Sequence, residues 1–339
     1  MLDLGRHLQA AWLARGPVAR VLWPLSLLYR ALWGLRQLLY RHGLRRSWHA
    51  PVPVIVVGNV VAGGAGKTPV TLALLAHLKQ RGWNPGVVSR GHGRKTRDVR
   101  PALPDSDASD VGDEPLLMAR RRIAPVYVGR QRAAAVRALI SAHPAVDIVV
   151  CDDGMQHLAL ARDLEILVTD ERLAGNGWLL PAGPLREPWP RRADLWLHGG
   201  SATLPGAFTI QRRLAAGAYQ ADGSRCDLSV LRGQSVHAVA GIATPERFFD
   251  ALRAEGVTLA SAHGLPDHHA FDDPAQAASW GTPLVCTEKD AVKLWRHRPD
   301  AWAVPLELAW PAEFVAALDT RLAGLRDAAL SSRHGHETA

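Results

Sequence analysis

A short apolar run, Val52–Val57, ends at Gly58 and leads into Ala62-Gly63-Gly64-Ala65-Gly66-Lys67-Thr68-Pro69. The run has the unbroken apolarity of a strand buried on both faces. Glycines after such a strand let backbone N–H groups curl around phosphate oxygens. Lys67 can then reach β- and γ-phosphates, and the Thr68 hydroxyl suits Mg2+. A helix starting at Pro69 would add its positive end. The strict G-x4-G-K-T form would need glycine at Val61, so this is a variant with a double glycine ahead of Gly66-Lys67-Thr68. Strand before and helix after predict a nucleoside triphosphate site built by Ala62, Gly63, Gly64, Ala65, Gly66, Lys67 and Thr68.

Similar apolar runs recur at Gly86–Ser89, Pro125–Val128, Asp147–Cys151, Glu165–Thr169, Asp194–His198, Val236–Gly241 and Leu284–Thr287. Helical stretches such as Pro69–Arg81 and Arg130–His143 separate several of them. Strands alternating with helices predict an α/β fold: a P-loop NTPase-type, mostly parallel sheet sandwiched by helices, with a smaller C-terminal α/β domain. The expected boundaries are 51–205 for the nucleotide domain, 206–232 for a Gly-punctuated connection, 233–330 for the second domain and 331–339 for a frayed tail. Residues 172–192, rich in Gly, Pro and Arg, read as a long, ordered, functional loop.

Charge is distributed unevenly over the 339 residues. Lys and Arg number 40 against 32 acids, a net +8, yet residues 1–50 hold eight arginines and one acid, Asp3, for +7. The remainder is close to neutral, which excludes a generally basic, nucleic-acid-coating protein. Three cysteines, Cys151, Cys226 and Cys286, make no disulfide framework and point to a reducing compartment. No run approaches the roughly 18–20 apolar residues that span a bilayer, and no signal-peptide pattern is present. From Pro24, the leucines Leu25, Leu28, Leu32, Leu35 and Leu39 step by three and four onto one face of a helix, opposite Ser26, Arg30, Gln37 and Arg41. Arginine, tryptophan and leucine together predict a helix lying in a membrane interface, amphipathic over 1–50. The alternative is an ordinary helix whose leucines pack on the domain behind it.

Several acids and histidines are candidates for chemistry. Asp147–Cys151 runs into Asp152-Asp153-Gly154, an acid pair at a strand end where a P-loop needs a carboxylate for its metal. Val111-Gly112-Asp113-Glu114-Pro115 precedes a helix at Leu116–Arg122; helix first turns favour acids, so by itself the pair reads as a cap before a base. Asp267-His268-His269 in a Gly/Pro loop reads as a metal pair, a base relay or neither. Arg90-Gly91-His92-Gly93-Arg94-Lys95 is a basic glycine loop suited to an anion. Thr287-Glu288-Lys289-Asp290 reads equally as a helix start with a capping Thr.

Taken together these motifs resemble the tetraacyldisaccharide 4'-kinase family of the lipid A pathway. The matching runs are V-V-G-N-V-V-A-G-G-A-G-K-T-P at 56–69, S-R-G-H-G-R-K at 89–95, G-D-E-P at 112–115 and D-D-G-M-Q-H at 152–157. They continue with N-G-W-L-L-P-A-G-P-L-R-E-P at 176–188, P-D-H-H at 266–269 and T-E-K-D-A-V-K at 287–293. His92 and Met155 stand where the family usually has an aromatic. The resemblance implies ATP- and Mg2+-dependent phosphorylation of the 4'-hydroxyl of an acylated disaccharide 1-phosphate, giving lipid IVA.

It further implies Lys67 against the β/γ-phosphates, and Thr68 with Asp152 at Mg2+. Asp153 and Glu187 would complete the metal surroundings. Asp113 would accept the hydroxyl proton, supported by His268 (or His269) across the domain cleft, so that closure assembles the site. Asn176, Arg90, Arg94 and Arg186 are the expected substrate contacts. The implied partners are the lipid substrate and the anionic cytoplasmic face of the inner membrane, with no nucleic acid; the sequence does not fix the oligomeric state, for which a monomer is favoured. A P-loop switch ATPase is the competing class. It would carry a signature lysine where Ala62 stands, and it leaves the 176–188 loop without a task.

Overall fold

The computed structural model describes residues 12–334; Asp3, Arg6 and the last five residues of the expected frayed tail, 335–339, lie outside them. The chain forms two compact units. Unit 1 takes the described residues of Met1–Arg90, Gly129–Ile210 and Trp310–Ala339, and unit 2 takes Gly91–Val128 and Gln211–Ala309.

Unit 1 is built on parallel strands in the order Pro85–Ser89, Ile148–Asp152, Val54–Gly58, Leu164–Thr169, Leu195–His198, Phe208–Thr209. The strand that feeds the glycine loop is central, and all five of its residues are buried. Helices Lys67–Gln80 and Arg132–Ala142 supply Val70, Leu74, Leu78, Val136 and Leu139 to the core. Fully burying each such side chain stabilises by roughly 1.5–3 kcal/mol.

Unit 2 has its own sheet, in the order Arg225–Asp227, Gly217–Tyr219, Trp302–Val304, Leu284–Thr287, Ser235–Ala240, Thr258–Gly264. Its middle strands are parallel and the first two pairings antiparallel. Phe248, Phe249 and Leu252 pack on one face with Val236, Ala238 and Val285; Phe271, Trp280 and Leu294 pack with Cys286 and Ala303.

Four expectations about organisation differ from the structure. Residues 91–128 group with unit 2, within which ion pairs join them to its later segments: Arg121–Glu288 at 2.6 Å and Arg296–Asp107 at 2.8 Å. The 206–232 connection contains strands, two of them in unit 2's sheet, and a 3-10 turn at Leu228–Leu231 capped by Asp227. The helix Ala312–His334 does not finish the second domain. Phe314, Leu318 and Leu322 are buried, and Asp319 accepts from His77 at 2.7 Å and Arg81 at 3.1 Å, all in unit 1. The same helix continues past the expected start of fraying at 331.

The N-terminal helix starts at Pro17 rather than Pro24 and runs to Arg41. Proline at its first position needs no N–H there, and Pro24 inside it forgoes one backbone bond without ending it. Most of its leucine row, all but the half-buried Leu39, does not pack on the domain. Val21, Leu25, Leu28, Leu32 and Leu35 are between 53% and 78% exposed, while Ala19 and Ser26 are buried. The helix seats through its small and polar side. Ser26 Oγ donates to Leu179 O (2.8 Å) and accepts from Ala182 N (3.0 Å); Tyr29 donates to Arg186 O (2.7 Å) and Arg36 to Gln156 O (2.9 Å). Among the described residues no helix is long and apolar enough to cross a membrane.

Candidate active site

In unit 1 the glycine loop leaves the strand Val54–Gly58, and Gly63 (φ 94°) and Gly66 (φ 80°) adopt left-handed conformations that a Cβ would strain. Helix Lys67–Gln80 begins directly after Gly66, ahead of the expected Pro69, so its free N–H groups open on the loop. Parallel register sets Val57 beside Asp152, which brings the acid pair to the loop's neighbouring strand end.

The two acids then diverge. Asp152 is 1% exposed, and its carboxylate accepts from the hydroxyls of Thr71 (3.1 Å) and Ser89 (3.2 Å). Asp153 has left the strand with φ 50°. Its carboxylate takes two bonds from Arg186 Nη1 (2.9 and 3.1 Å) and lies 3.5 Å from Lys67 Nζ. Burial opposes ionisation of Asp153 most strongly, yet Lys67 and Arg186 together outweigh it and hold the carboxyl at about 2. Lys67 also donates to Asn59 Oδ1 at 3.3 Å. Beneath the turn, buried Arg132 donates to the carbonyls of Gly129 (2.8 Å), Asp153 (3.3 Å) and Asp152 (3.4 Å), fixing the left-handed step.

The donor set fits Mg2+. Thr68, Asp152 and Asp153 offer hard oxygens, and a P-loop magnesium takes only one or two protein ligands, its remaining sites going to phosphate and water. No cluster of three metal-binding side chains occurs among the described residues, and such a site needs none. Glu187, buried like Asp152, accepts from Gln156 Nε2 (2.8 Å) and Arg191 Nε (2.9 Å).

Unit 2 carries the second cluster. Asp113 opens helix Asp113–Arg120 after Gly112 (φ 94°), and its Oδ2 accepts from His268 Nδ1 (3.0 Å) and Lys293 Nζ (2.9 Å). Burial pushes its pKa up, but the hydrogen bonds and charges of His268 and Lys293 prevail and hold it below the usual carboxylate range. His268 sits at φ 60°, a costly conformation for a non-glycine residue, retained while it faces Asp113. Its Nε2 lies 3.4 Å from Lys289 Nζ, which also binds Asp267 at 2.8 Å.

His269 is the other histidine's opposite in role: its ring packs on Phe271 (centroids 4.7 Å apart) and its Nδ1 accepts from Phe271 N. The pair expected across two domains therefore lies within one unit and requires no closure to form. The 287–293 motif explains itself in the same place. Thr287 caps Asp290 N (3.1 Å), buried Asp290 accepts from Gly241 N (2.9 Å), and Lys289 and Lys293, one turn apart, meet His268 and Asp113.

The profile of the tetraacyldisaccharide-1-P 4'-kinase family matches residues 18–323. The chain belongs to that family. It is 58% identical over 330 residues to the tetraacyldisaccharide 4'-kinase of Acidovorax sp. (strain JS42), covering 95% of this chain and 96% of that one. To the kinase of the same description from Delftia acidovorans (strain DSM 14801 / SPH-1) it is 56% identical over 324 residues, with the same coverage. A crystal structure of LpxK from Aquifex aeolicus in complex with ATP superposes with a TM-score of 0.78 at 27% identity, covering 91% of this chain and 99% of that one. The activity is that of a lipid A 4'-kinase, phosphoryl transfer to a hydroxyl of the acylated disaccharide, and the switch-ATPase class falls away.

Against this kinase assignment, the remaining expected contacts separate. Arg186 is committed to Asp153, with its carbonyl held by Tyr29. Arg90 is the exposed last residue of its unit 1 segment. Arg94, in unit 2, donates to Thr96 Oγ1 (3.3 Å) and Asp98 O (2.8 Å), so the basic loop straddles the division of the chain. Asn176 is built into the scaffold of the 176–188 loop. It is buried, donating to Ala182 O (2.9 Å) and accepting from Trp178 N (3.0 Å). Sequence reasoning gave no role to Lys293, Thr71, Ser89, Arg132 or Arg172. Lys293 was legible, since it stands four residues after Lys289 on a helix whose start was marked by Thr287.

Proposed function

We propose that unit 1 binds ATP with Mg2+ and that unit 2 supplies the base for the 4'-hydroxyl. Residues 62–68 cradle the phosphates, and Lys67, now held by Asp153 and Asn59, turns its ammonium to the β/γ-oxygens. Thr68 with Asp152 and Asp153 would hold Mg2+, which supplies charge neutralisation for the transferring phosphoryl group. The 4'-hydroxyl oxygen forms a bond to the γ-phosphorus as the bond to the β,γ-bridging oxygen breaks. ADP leaves, and the hydroxyl proton passes to Asp113.

The observation that carries this reading is the state of Asp113: buried, ionised and gripped by His268 and Lys293, it is an oriented acceptor with no other visible task. His268 acts as a positioning residue that holds the carboxylate. Glu187 and Arg186 keep the acid pair and loop in place. The test uses γ-labelled ATP with acylated disaccharide 1-phosphate in detergent micelles. Label is expected in the lipid; ATP consumption without labelled lipid sinks the reading.

The N-terminal helix supports attachment to an anionic membrane surface. Its leucine row faces away from unit 1, and arginines flank it. Leu28→Glu combined with Leu32→Glu is expected to abolish sedimentation with anionic liposomes while changing stability by no more than about 0.5 kcal/mol, as for exposed positions. Equal sedimentation of variant and parent defeats the membrane reading.

A further inference from the structure

Glycine-rich phosphate loops normally owe their shape to glycine and to the helix behind them, yet the first glycine of the pattern is replaced here by Val61, which is buried. What shapes the loop instead is visible on both of its sides. On one, residues 60–62 pair with 184–186: Ala62 N donates to Pro184 O (2.7 Å), Arg186 N donates to Val60 O (2.7 Å), and Val61 bridges Leu185 antiparallel. On the other stands Arg172, the first residue of the 172–192 loop and one given no role so far. Its guanidinium is clamped by Asp170, with Nε at 3.1 and 3.0 Å from the two carboxylate oxygens and Nη2 at 2.8 Å from Oδ2. From that anchor Nη2 donates to Gly64 O (2.8 Å) and Nη1 to Ala62 O (3.4 Å). Gly63 lies so close that a Cβ there would come 3.1 Å from Nη1.

In a phosphate-binding nest the N–H groups turn inward, so the carbonyls turn outward and need partners of their own. Arginine is the side chain that can meet a carboxylate and two carbonyls at once, its donors being fixed in one plane. We propose that Arg172, fixed by Asp170, is a positioning residue that holds the outward carbonyls of Ala62 and Gly64 and so presets the loop for the triphosphate before it arrives. The proposal rests on the reading that residues 62–68 bind ATP. Arg172 replaces by external bracing the conformational definition that the missing glycine would give, and binding then orders less chain at the moment of association.

The test is isothermal calorimetry of Mg-ATP binding to the full-length protein, without lipid acceptor, alongside amide exchange of residues 62–66 in the free protein. Arg172→Met is expected to weaken ATP binding roughly tenfold, the scale of losing hydrogen bonds to a charged group, and to raise KM for ATP in step. Turnover at saturating ATP and KM for the lipid are expected to hold within about twofold. Exchange in the free loop should quicken, while the ATP-bound loop exchanges as in the parent. Arg172→Lys can reach Gly64 O but not all three partners, so it should fall between the two. Should Arg172→Met fail to fold, Asp170→Asn keeps the guanidinium while weakening its anchor, and a threefold or larger loss of affinity is expected. Unchanged affinity and unchanged free-loop exchange in a folded variant overturn the proposal. A parent protein that binds no ATP defeats the nucleotide reading itself, a result distinguishable from the first because it appears before any substitution.

Discussion

Two carboxylates, Asp153 in unit 1 and Asp113 in unit 2, are each buried against burial's own penalty, and each is kept ionised by two nitrogen donors. Their partners differ. Asp153 faces the ammonium of Lys67 and the guanidinium of Arg186 and is driven down to about 2. Asp113 faces Lys293 and the imidazole of His268, which hold it below the usual carboxylate range. A carboxylate locked between fixed cations is suited to holding charge, and one beside a histidine to exchanging a proton. The same elementary forces thus make an electrostatic anchor in one unit and a base in the other.

The most severe test replaces Asp113 with Asn, which keeps the shape and removes the basicity. Turnover is expected to fall roughly 10²- to 10⁴-fold, with ATP affinity unchanged. Asp153→Asn should show the opposite emphasis: weaker Mg-ATP binding, roughly ten- to hundredfold, as charge-assisted bonds to Arg186 and Lys67 are lost. Matching profiles for the two variants would erase the distinction between anchor and base. His268→Ala is expected to lower turnover about tenfold to hundredfold by letting Asp113 drift, with ATP affinity again intact. His269→Ala should do far less, since that ring packs on Phe271.

Most of the frame was legible. Every strand read from an apolar run exists, and the P-loop, the acid pair and the Thr287 cap lie where the spacing put them. Edge strands such as Thr258–Gly264, alternately exposed and half-buried, gave no apolar run to read. What spacing could not convey was which side of a stripe faces inward. Leu25, Leu28, Leu32 and Leu35 form as regular a row as Phe314, Leu318 and Leu322, yet the first row is exposed and the second buried. Periodicity finds a face; only packing decides its neighbour. Chain excursions were equally hidden. Residues 312–334 join the unit that sequence order did not suggest, because Asp319 and Phe314 find partners far along the chain, and Arg121 and Asp107 of the 91–128 segment likewise pair with Glu288 and Arg296. The loop that holds Arg172 was legible but not the residue's role, for a related reason: an arginine that binds carbonyls leaves no motif.

Acid stability gives the finest separation between the two carboxylates, and two windows must be kept apart. His157 is held down to about 4, by burial first and then by Arg132, Arg36 and Arg90. The unfolded chain takes that proton near the ordinary 6.5, so stability is lost as pH falls from about 6.5 to 4, by at most about 3 kcal/mol. His157→Gln should flatten that window. Asp153 acts lower. Its unfolded carboxyl protonates near 3.8 and the folded one near 2, so its contribution is present above about 4 and is lost as pH falls toward 2. The shift corresponds to roughly 2 kcal/mol. Urea unfolding at pH 5 and pH 2.5 should therefore show a smaller acid loss for Asp153→Asn than for the parent. Asp113→Asn should retain the part due to Asp153. If Asp153→Asn keeps the parent's full acid slope, the pairing with Lys67 and Arg186 does not hold in solution, and the anchor side of the comparison fails.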